Sequence, residues 1–335
     1  MTNSLDLLLS SSGIDIVGDI HGHNTVLEAA LRHLGYESLS GIWRHPDGRR
    51  VLFLGDLIDR GPDNRATIAT VRDMVDAGEA VCLMGNHELN AVHFSITHPD
   101  RSGRHLRPRS DKNLRQHIAF LQEYHLDPAG AEALATDLAW LRTLPLWINH
   151  PDFRAVHACW SPEHISHLEP HLDNGRLETE DAWLRTASSG DSLMDAVEVI
   201  LKGAEIRLPD GVALTDKDGH QREHARVKWW HDGKDEWAES VMGTPELIHA
   251  LATHNSLPPL RLPNLMPDRP TFFGHYWFAP IDGAPWLAGP TAGGLDFSIA
   301  RTGGLLGVYR WDGEDVLDPV NLLGFDRNGC AVGAL

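Results

Sequence analysis

The sequence predicts a layered α/β fold, two sheets flanked by helices, with helical segments inserted at two places. Three observations point to it. Short apolar runs at 14–17, 51–54 and 80–84 alternate with amphipathic stretches, the strand–helix–strand order of a parallel sheet with right-handed crossovers. Each run stops at a glycine followed by residues able to bind metals or anions. Further on, 295–299 and 305–311, separated by Gly303 and Gly304, read as antiparallel strands joined by a hairpin, expected to pack as a second sheet against the first.

Taken in order, the strand at 14–17 runs into Gly18, Asp19, Ile20, His21 and Gly22, so one loop can project an aspartate and a histidine together. The stretch 25–34 predicts a helix in which Thr25 and Glu28 form a capping box. Its Leu27, Ala30, Leu31 and Leu34 share a face, and Gly35 stops it. The run Val51, Leu52, Phe53, Leu54 lacks alternation, as in a strand buried on both faces. Gly55 lets the backbone turn and leaves Asp56 at the carboxyl end of the strand, where ligands collect in α/β sheets; Asp59 and Arg60 fall on the same rim. A helix lined by Ile68, Val71 and Val75 and closed by Gly78 leads to the strand 80–84, which ends in Gly85, Asn86, His87 and Glu88.

Residues 89–148 read as a helical insertion beside the site, with Leu114, Ile118 and Leu121 on one face and Leu134, Leu138 and Leu141 on another. The Arg-rich segment 101–115 reads as a solvated loop in preference to a lip over an anionic substrate. A short strand at 153–156 delivers His157. Residues 161–270 form a second insertion or cap, with a helix around Leu193, Val197 and Ile200 and another opening at Thr244 and Pro245. Trp229, Trp230 and Trp237 are expected in the cap's core; stacking a nucleobase is the alternative. His220 and His224 have helical spacing but no third ligand nearby, so no metal site is expected there. The Pro-rich run at 257–270 should track the surface in extended form. The strand from Thr271 ends in Gly274, His275, Tyr276 and Trp277, and the whole reads as one domain over 13–320.

A formal net charge of −18 argues against sequence-independent binding to nucleic acid or anionic lipid, so an anionic substrate must be drawn by local positive charge. Three scattered cysteines, Cys82, Cys159 and Cys330, suit reduced thiols in a cytoplasmic protein. No stretch approaches the ~18 apolar residues of a membrane span. The composition does not address oligomeric state.

The strand ends together supply Asp19, His21, Asp56, Asn86, His157 and His275. Carboxylate, imidazole and amide oxygen suit first-row divalent ions, and two such ions lying ~3.5–4 Å apart need a shared anionic ligand, for which Asp56 is the natural choice. GDIHG at 18–22, GDLIDRG at 55–61, GNHE at 85–88, a histidine after a strand and a late GH resemble the calcineurin-like metallophosphoesterases. Within them the chain is most similar to the phosphoprotein phosphatase branch and its bacterial relatives. The resemblance covers the catalytic scaffold and neither insertion. It implies a β-sandwich of two mixed sheets flanked by helices, in α/β/β/α layers. It also implies that Asp19, His21 and Asp56 hold one ion and that Asp56, Asn86, His157 and His275 hold the other. Manganese is the first expectation, and iron or zinc would tolerate the same ligands.

Two details favour the phosphatase branch. Nuclease and phosphodiesterase relatives usually finish with GHxH, and here the last position is Trp277; they also generally lack the arginine that here is Arg60. The expected reaction is hydrolysis of a phosphomonoester, including phosphoserine or phosphothreonine on a protein, by direct attack of a metal-bridging hydroxide on phosphorus. His87 would protonate the leaving group, Asp59 would orient the His87 ring, and Arg60 would fork onto phosphate oxygens. Glu88 is expected to brace the ligands. The branch's further phosphate-binding arginines do not align, and Arg222, Arg226 and Lys228 are the candidates. Hydrolysis of diadenosine tetraphosphate is the alternative within enzymes. A metal-binding scaffold without turnover is the alternative outside them.

Overall fold

The computed structural model describes residues 4–100, 103–125, 128–215, 221–231, 236–254, 257–260 and 265–333. Eleven strands build its two principal sheets. In chain order they are β1 Ile14–Val17, β2 Arg50–Phe53, β3 Ala80–Cys82, β4 Trp147–Asn149, β5 Arg154–Val156, β6 Thr271–Phe273, β7 Ala292–Gly294, β8 Asp296–Phe297, β9 Leu305–Trp311, β10 Leu322–Phe325 and β11 Ala331–Val332. The first sheet runs β11-β10-β9-β1-β2-β3, with β8 paired to β9; the second runs β7-β6-β5-β4.

β1, β2 and β3 are mutually parallel. The crossovers between them are helices, α1 Asn24–His33 and α2 Asn64–Asp76, as the alternating pattern predicts. Val51, Leu52 and Phe53 are fully buried, because β2 lies between β1 and β3 and both of its faces are covered. Removing each such side chain from water stabilises the fold by about 1.5–3 kcal/mol. β5 and β6 are also parallel, so their carboxyl ends reach the same edge.

The two sheets are composed differently from the sequence expectation. The hairpin strands at the end of the chain do not form the second sheet. β9 lies antiparallel against β1 and completes the first, with Ile14 opposite Trp311 and Val17 opposite Val308. The physical reason is that β1 has β2 on one side only, and the long, buried β9 satisfies its other row of backbone groups. The second sheet is built from the strands that carry His157 and His275.

Smaller corrections concern helix ends and faces. α1 begins at Asn24 after His23, with no side-chain cap, and Asn24 Nδ2 donates to Glu28, so Thr25 and Glu28 form no capping box. The stretch expected as the first insertion, 89–148, begins within α3 Asn86–Ser95 and holds α4 Asp111–His125 and α5 Gly130–Leu141, and its expected end at 148 falls inside β4. On α4 the buried residues are His117, Phe120 and Tyr124, while Leu114 and Ile118 are exposed. The apolar periodicity picked the wrong face because a histidine and a tyrosine point inward to carboxylate partners.

In the second insertion, α6 Ser192–Lys202 packs its Leu193, Val197 and Ile200 into the main core. Thr244 caps the helix Pro245–Thr253. Residues from Leu208 to Leu260 form a separate small core around Trp237. Trp229 and Trp230 are buried against Phe273, so all three tryptophans are packing residues. His224 lies on a strand, His224–Arg226; His220 and residues 261–264 of the Pro-rich run lie outside the described residues.

Candidate metal centre

Five strand ends meet at one point. Leu54 at the end of β2 donates its backbone N–H to Val17 O, and the N–H groups of Ile20 and His21 both reach Asp56 O, locking the first two ligand loops together. His157 Nδ1 lies 2.8 Å from Leu54 O, which ties the second sheet to the first across the site. Gly274 N donates to His157 O, setting His275 beside His157, with ring centres 5.4 Å apart. Glycine is required at the tightest approaches. A Cβ on Gly274 would lie 2.0 Å from Asp19 Oδ1, and one on Gly85 would lie 2.3 Å from Asp56 N. His21, Asp56, Asp59, Arg60, His275 and Trp277 all have positive φ, a concentration of strained backbone on the ligand loops.

Asp56 stands in the middle. Its Oδ2 is 3.7 Å from His21 Nε2, and its Oδ1 is 3.3 Å from His157 Nε2. Asn86 Oδ1 is 3.2 Å from His157 Nε2, and Asp19 Oδ2 is 4.0 Å from His21 Nε2. His21, Asp56 and His87 can place ligand atoms around one point, and Asp56, His157 and His275 around another. The structure therefore brings together all six residues singled out in the sequence.

The donor set fits two divalent cations. Nε2 of His21 and Nε2 of His275 are buried without any hydrogen-bond partner, a costly state unless a cation takes the lone pair. His21 Nδ1 is 2.9 Å from Ile58 O, so a proton there turns Nε2 toward the centre as an acceptor. Burial, with Arg60 beside His21 and Arg226 beside His275, holds both imidazoles well below their ordinary pKa and hence neutral. Burial, Asp296 and Asp56 push the Asp19 carboxyl well up, since three carboxylates crowd one dry space and call for positive charge. Burial would also raise Asp56, but His157 and His87 outweigh it and hold it ionised.

Around this centre lie His87, Asp59, Arg60 and Glu88. His87, in the first turn of α3, has its Nδ1 2.6 Å from Asp59 Oδ2, and Arg60 Nη2 lies 3.4 Å from its Nε2. Burial would lower the His87 pKa, yet Asp56 and Asp59 raise it above the ordinary value. Glu88 braces the loops as expected: Oε2 accepts from Asp56 N and Gly85 N, and Oε1 accepts from Leu57 N.

The family model of the calcineurin-like phosphoesterases matches residues 13–198, taking in every candidate ligand except His275. The chain belongs to the calcineurin-like phosphoesterase family. Among relatives of this phosphoesterase, the bis(5'-nucleosyl)-tetraphosphatase PrpE of Geobacillus sp. (strain WCH70) is 47% identical over 74 residues, 22% of this chain and 30% of that protein. The PrpE of Halalkalibacterium halodurans is 45% identical over 73 residues, with the same shares. The chain thus spans under a third of the length of these relatives. Among solved structures, a protein serine/threonine phosphatase of Saccharomyces cerevisiae aligns over 98% of this chain and 82% of its own, at 15% identity and a TM-score of 0.45.

Four residues at the phosphoesterase site escaped the sequence reading. His117 of α4 lies 2.8 Å from Asp59 Oδ2, off line for a hydrogen bond. Asp296 accepts from Trp277 N and Ser298 N and so fixes the loop after His275. Trp277 and Arg301 complete the rim. His117, Asp296 and Arg301 belong to no local motif, and Trp277 was read only as the residue in the last place of GHxH, not as part of a site; a buried polar residue on an apolar helix, as at His117, was the one available signal. Of the expected arginines, Arg226 stands at the rim, whereas Arg222 is exposed on the short strand Gln221–Arg222.

Proposed function

We propose that the protein is a phosphoester hydrolase using two divalent cations, manganese first among them, with its catalytic unit over 13–320. The observation that carries this reading is Asp56, whose two carboxylate oxygens each face a different imidazole. The first ion falls to Asp19, His21 and Asp56, and the second to Asp56, Asn86, His157 and His275. Bound there, the two ions supply a nucleophilic water and neutralise charge at phosphorus.

This chain's own residues do the rest. Arg60 offers a planar fork for two phosphate oxygens beside the acid, and Arg226 adds positive charge from the cap side. His87 Nε2 points to the same place, so it can hand its proton to the leaving oxygen as the ester bond breaks. Asp59 accepts from Nδ1–H, which fixes the ring orientation and keeps the proton to be transferred on Nε2. Buried loops close the site to bulk water, which strengthens each of these interactions.

Phosphomonoesters, phosphoserine and phosphothreonine included, are the first substrate class. Dinucleoside tetraphosphates are the second, favoured by the identity to proteins named for that activity. Among the described residues no helix is long and apolar enough to cross a membrane, and we place the protein in the cytoplasm.

Steady-state turnover of the manganese-loaded protein on p-nitrophenyl phosphate, a phosphothreonine peptide and diadenosine tetraphosphate tests the proposal, with His87→Asn alongside. Turnover that is slowed in a still metal-loaded variant supports it. Two bound ions with no turnover of any substrate would leave a metal-binding scaffold.

A further inference from the structure

The rim of the centre carries a cluster of three arginines, more positive charge than the single attacked phosphate takes up. The Trp277 indole is 36% exposed, and three guanidinium groups gather over it. Arg301 lies 4.7 Å from the ring centre, Arg60 5.2 Å and Arg226 5.7 Å. They come from three separate places: the loop after β2, the strand His224–Arg226 and the turn between β8 and β9.

Attraction of a cation to an indole face is too weak to gather three like charges by itself. Elsewhere in this chain an arginine over a tryptophan has its own carboxylate. Arg32 over Trp43 pairs with Glu28, Arg142 over Trp183 with Glu180, and Arg154 over Trp160 with Asp268. Among the described residues none of the three around Trp277 has an ion pair with a carboxylate within 4.0 Å. Asp19 and Asp296 feel the charge of Arg60, but one is committed to the centre and the other to the backbone of Trp277 and Ser298. In a chain of net charge −18 this is a local concentration of positive charge.

The backbone is shaped for it. Trp277 sits at φ 31°, rare for so large a residue, and Asp296 holds it there through its side chain to Trp277 N and its carbonyl to Phe278 N. Arg60 joins the two regions, since its other contact is with His87 at the acid position.

We propose that Trp277, Arg226 and Arg301 form a second anion subsite for phosphate groups beyond the one attacked, so that the substrate is a phosphoanhydride chain. The inference rests on the hydrolase reading above and narrows it. In the reaction, a water oxygen bonds to phosphorus as its proton passes to solvent, and the P–O bond of the anhydride breaks with its electron pair on the leaving phosphate. His87 protonates that oxygen, and the guanidinium groups hold the departing phosphate's charge.

Two measurements on the full chain test this. Calorimetric titration of the metal-free protein with inorganic tripolyphosphate and with inorganic phosphate should show tighter binding of tripolyphosphate, weakened at least tenfold in Arg301→Gln. Arg32→Gln, which alters a distant arginine over a tryptophan, serves as control and should bind as wild type. Equal affinity in wild type and Arg301→Gln overturns the subsite. In the manganese-loaded enzyme, the kcat/KM ratio of diadenosine tetraphosphate to p-nitrophenyl phosphate should fall at least tenfold in Arg301→Gln. An unchanged ratio also overturns it. Arginine-dependent tripolyphosphate binding in a protein that turns over no ester would sink the hydrolase reading and leave the subsite standing.

Discussion

The ring of His117, carried by the inserted helix Asp111–His125, lies 2.8 Å from Asp59, at the same carboxylate oxygen that holds His87 from the other side. The helix thereby reaches the carboxylate that His87 shares. Burial would raise the Asp59 pKa, but His117 and His87 outweigh it and keep Asp59 ionised, as an orienting group must be.

Asp59→Asn should therefore slow the reaction according to its leaving group. General acid catalysis contributes about 10²–10⁴-fold. An alkyl phosphate, whose leaving oxygen needs the proton, should lose on the order of 100-fold in kcat, and p-nitrophenyl phosphate much less. His117→Gln should follow the same pattern more weakly. Equal losses on both substrates would mean that Asp59 acts on the metal centre and not on the acid.

Gly274→Ala tests the packing of the first ion's ligands. The added Cβ would fall 2.0 Å from Asp19 Oδ1, so the carboxylate must move. Metal analysis after dialysis should find about one manganese per chain in place of two, a count following from loss of one of two sites. The circular dichroism spectrum should be retained. Full occupancy with unchanged affinity would show that the loop yields without cost.

Glu88 bears on stability. Its carboxylate accepts three buried N–H groups, from Asp56, Leu57 and Gly85. Leaving a buried donor unsatisfied costs about 1–3 kcal/mol. Glu88→Ala should therefore lose about 3 kcal/mol or more in denaturant unfolding. Glu88→Gln, which keeps one acceptor oxygen, should lose less. Equal stability of the three proteins would remove Glu88 from the frame.

His93 supplies a pH dependence away from the metals. It is buried with its edge on Trp183 and its Nε2 3.2 Å from Thr186 Oγ1. Burial first, then Lys202 and Arg107, lower its pKa to about 3 from 6.5. The unfolded chain therefore binds the proton more readily, so the stability tied to neutral His93 is complete above pH 6.5 and is lost as pH falls toward 3. The slope is about 1.4 kcal/mol per pH unit. Urea unfolding at pH 7 and pH 4.5 should show His93→Gln losing about 2 kcal/mol less than wild type across that interval. Parallel losses would place the acid sensitivity elsewhere.

The parts of this protein written locally could be read from the sequence. A buried strand needs an unbroken apolar run, and a ligand at its end needs a glycine to turn the chain. Val51 to Asp56, Ala80 to His87 and Phe272 to His275 each carry both signals within a few residues. Five of the six candidate ligands, the parallel β1-β2-β3 core and the brace role of Glu88 follow from such stretches, while His157 follows its strand with no glycine between. Leu114 and Ile118 show the limit, because periodicity assigned them inward while α4 turns His117 to meet Asp59.

What tertiary structure alone decided are the contacts whose partners lie far apart in the chain. The pairing of β9 with β1, the seat of Asp296 behind Trp277 and the meeting of Arg60, Arg226 and Arg301 over one indole each join distant segments. Each depends on how the strands order themselves to satisfy their edges and bury their faces. The sequence by itself determined which residues can do the chemistry; only the closed fold decided what surrounds them, because the energy of those contacts exists only once the chain has brought them together.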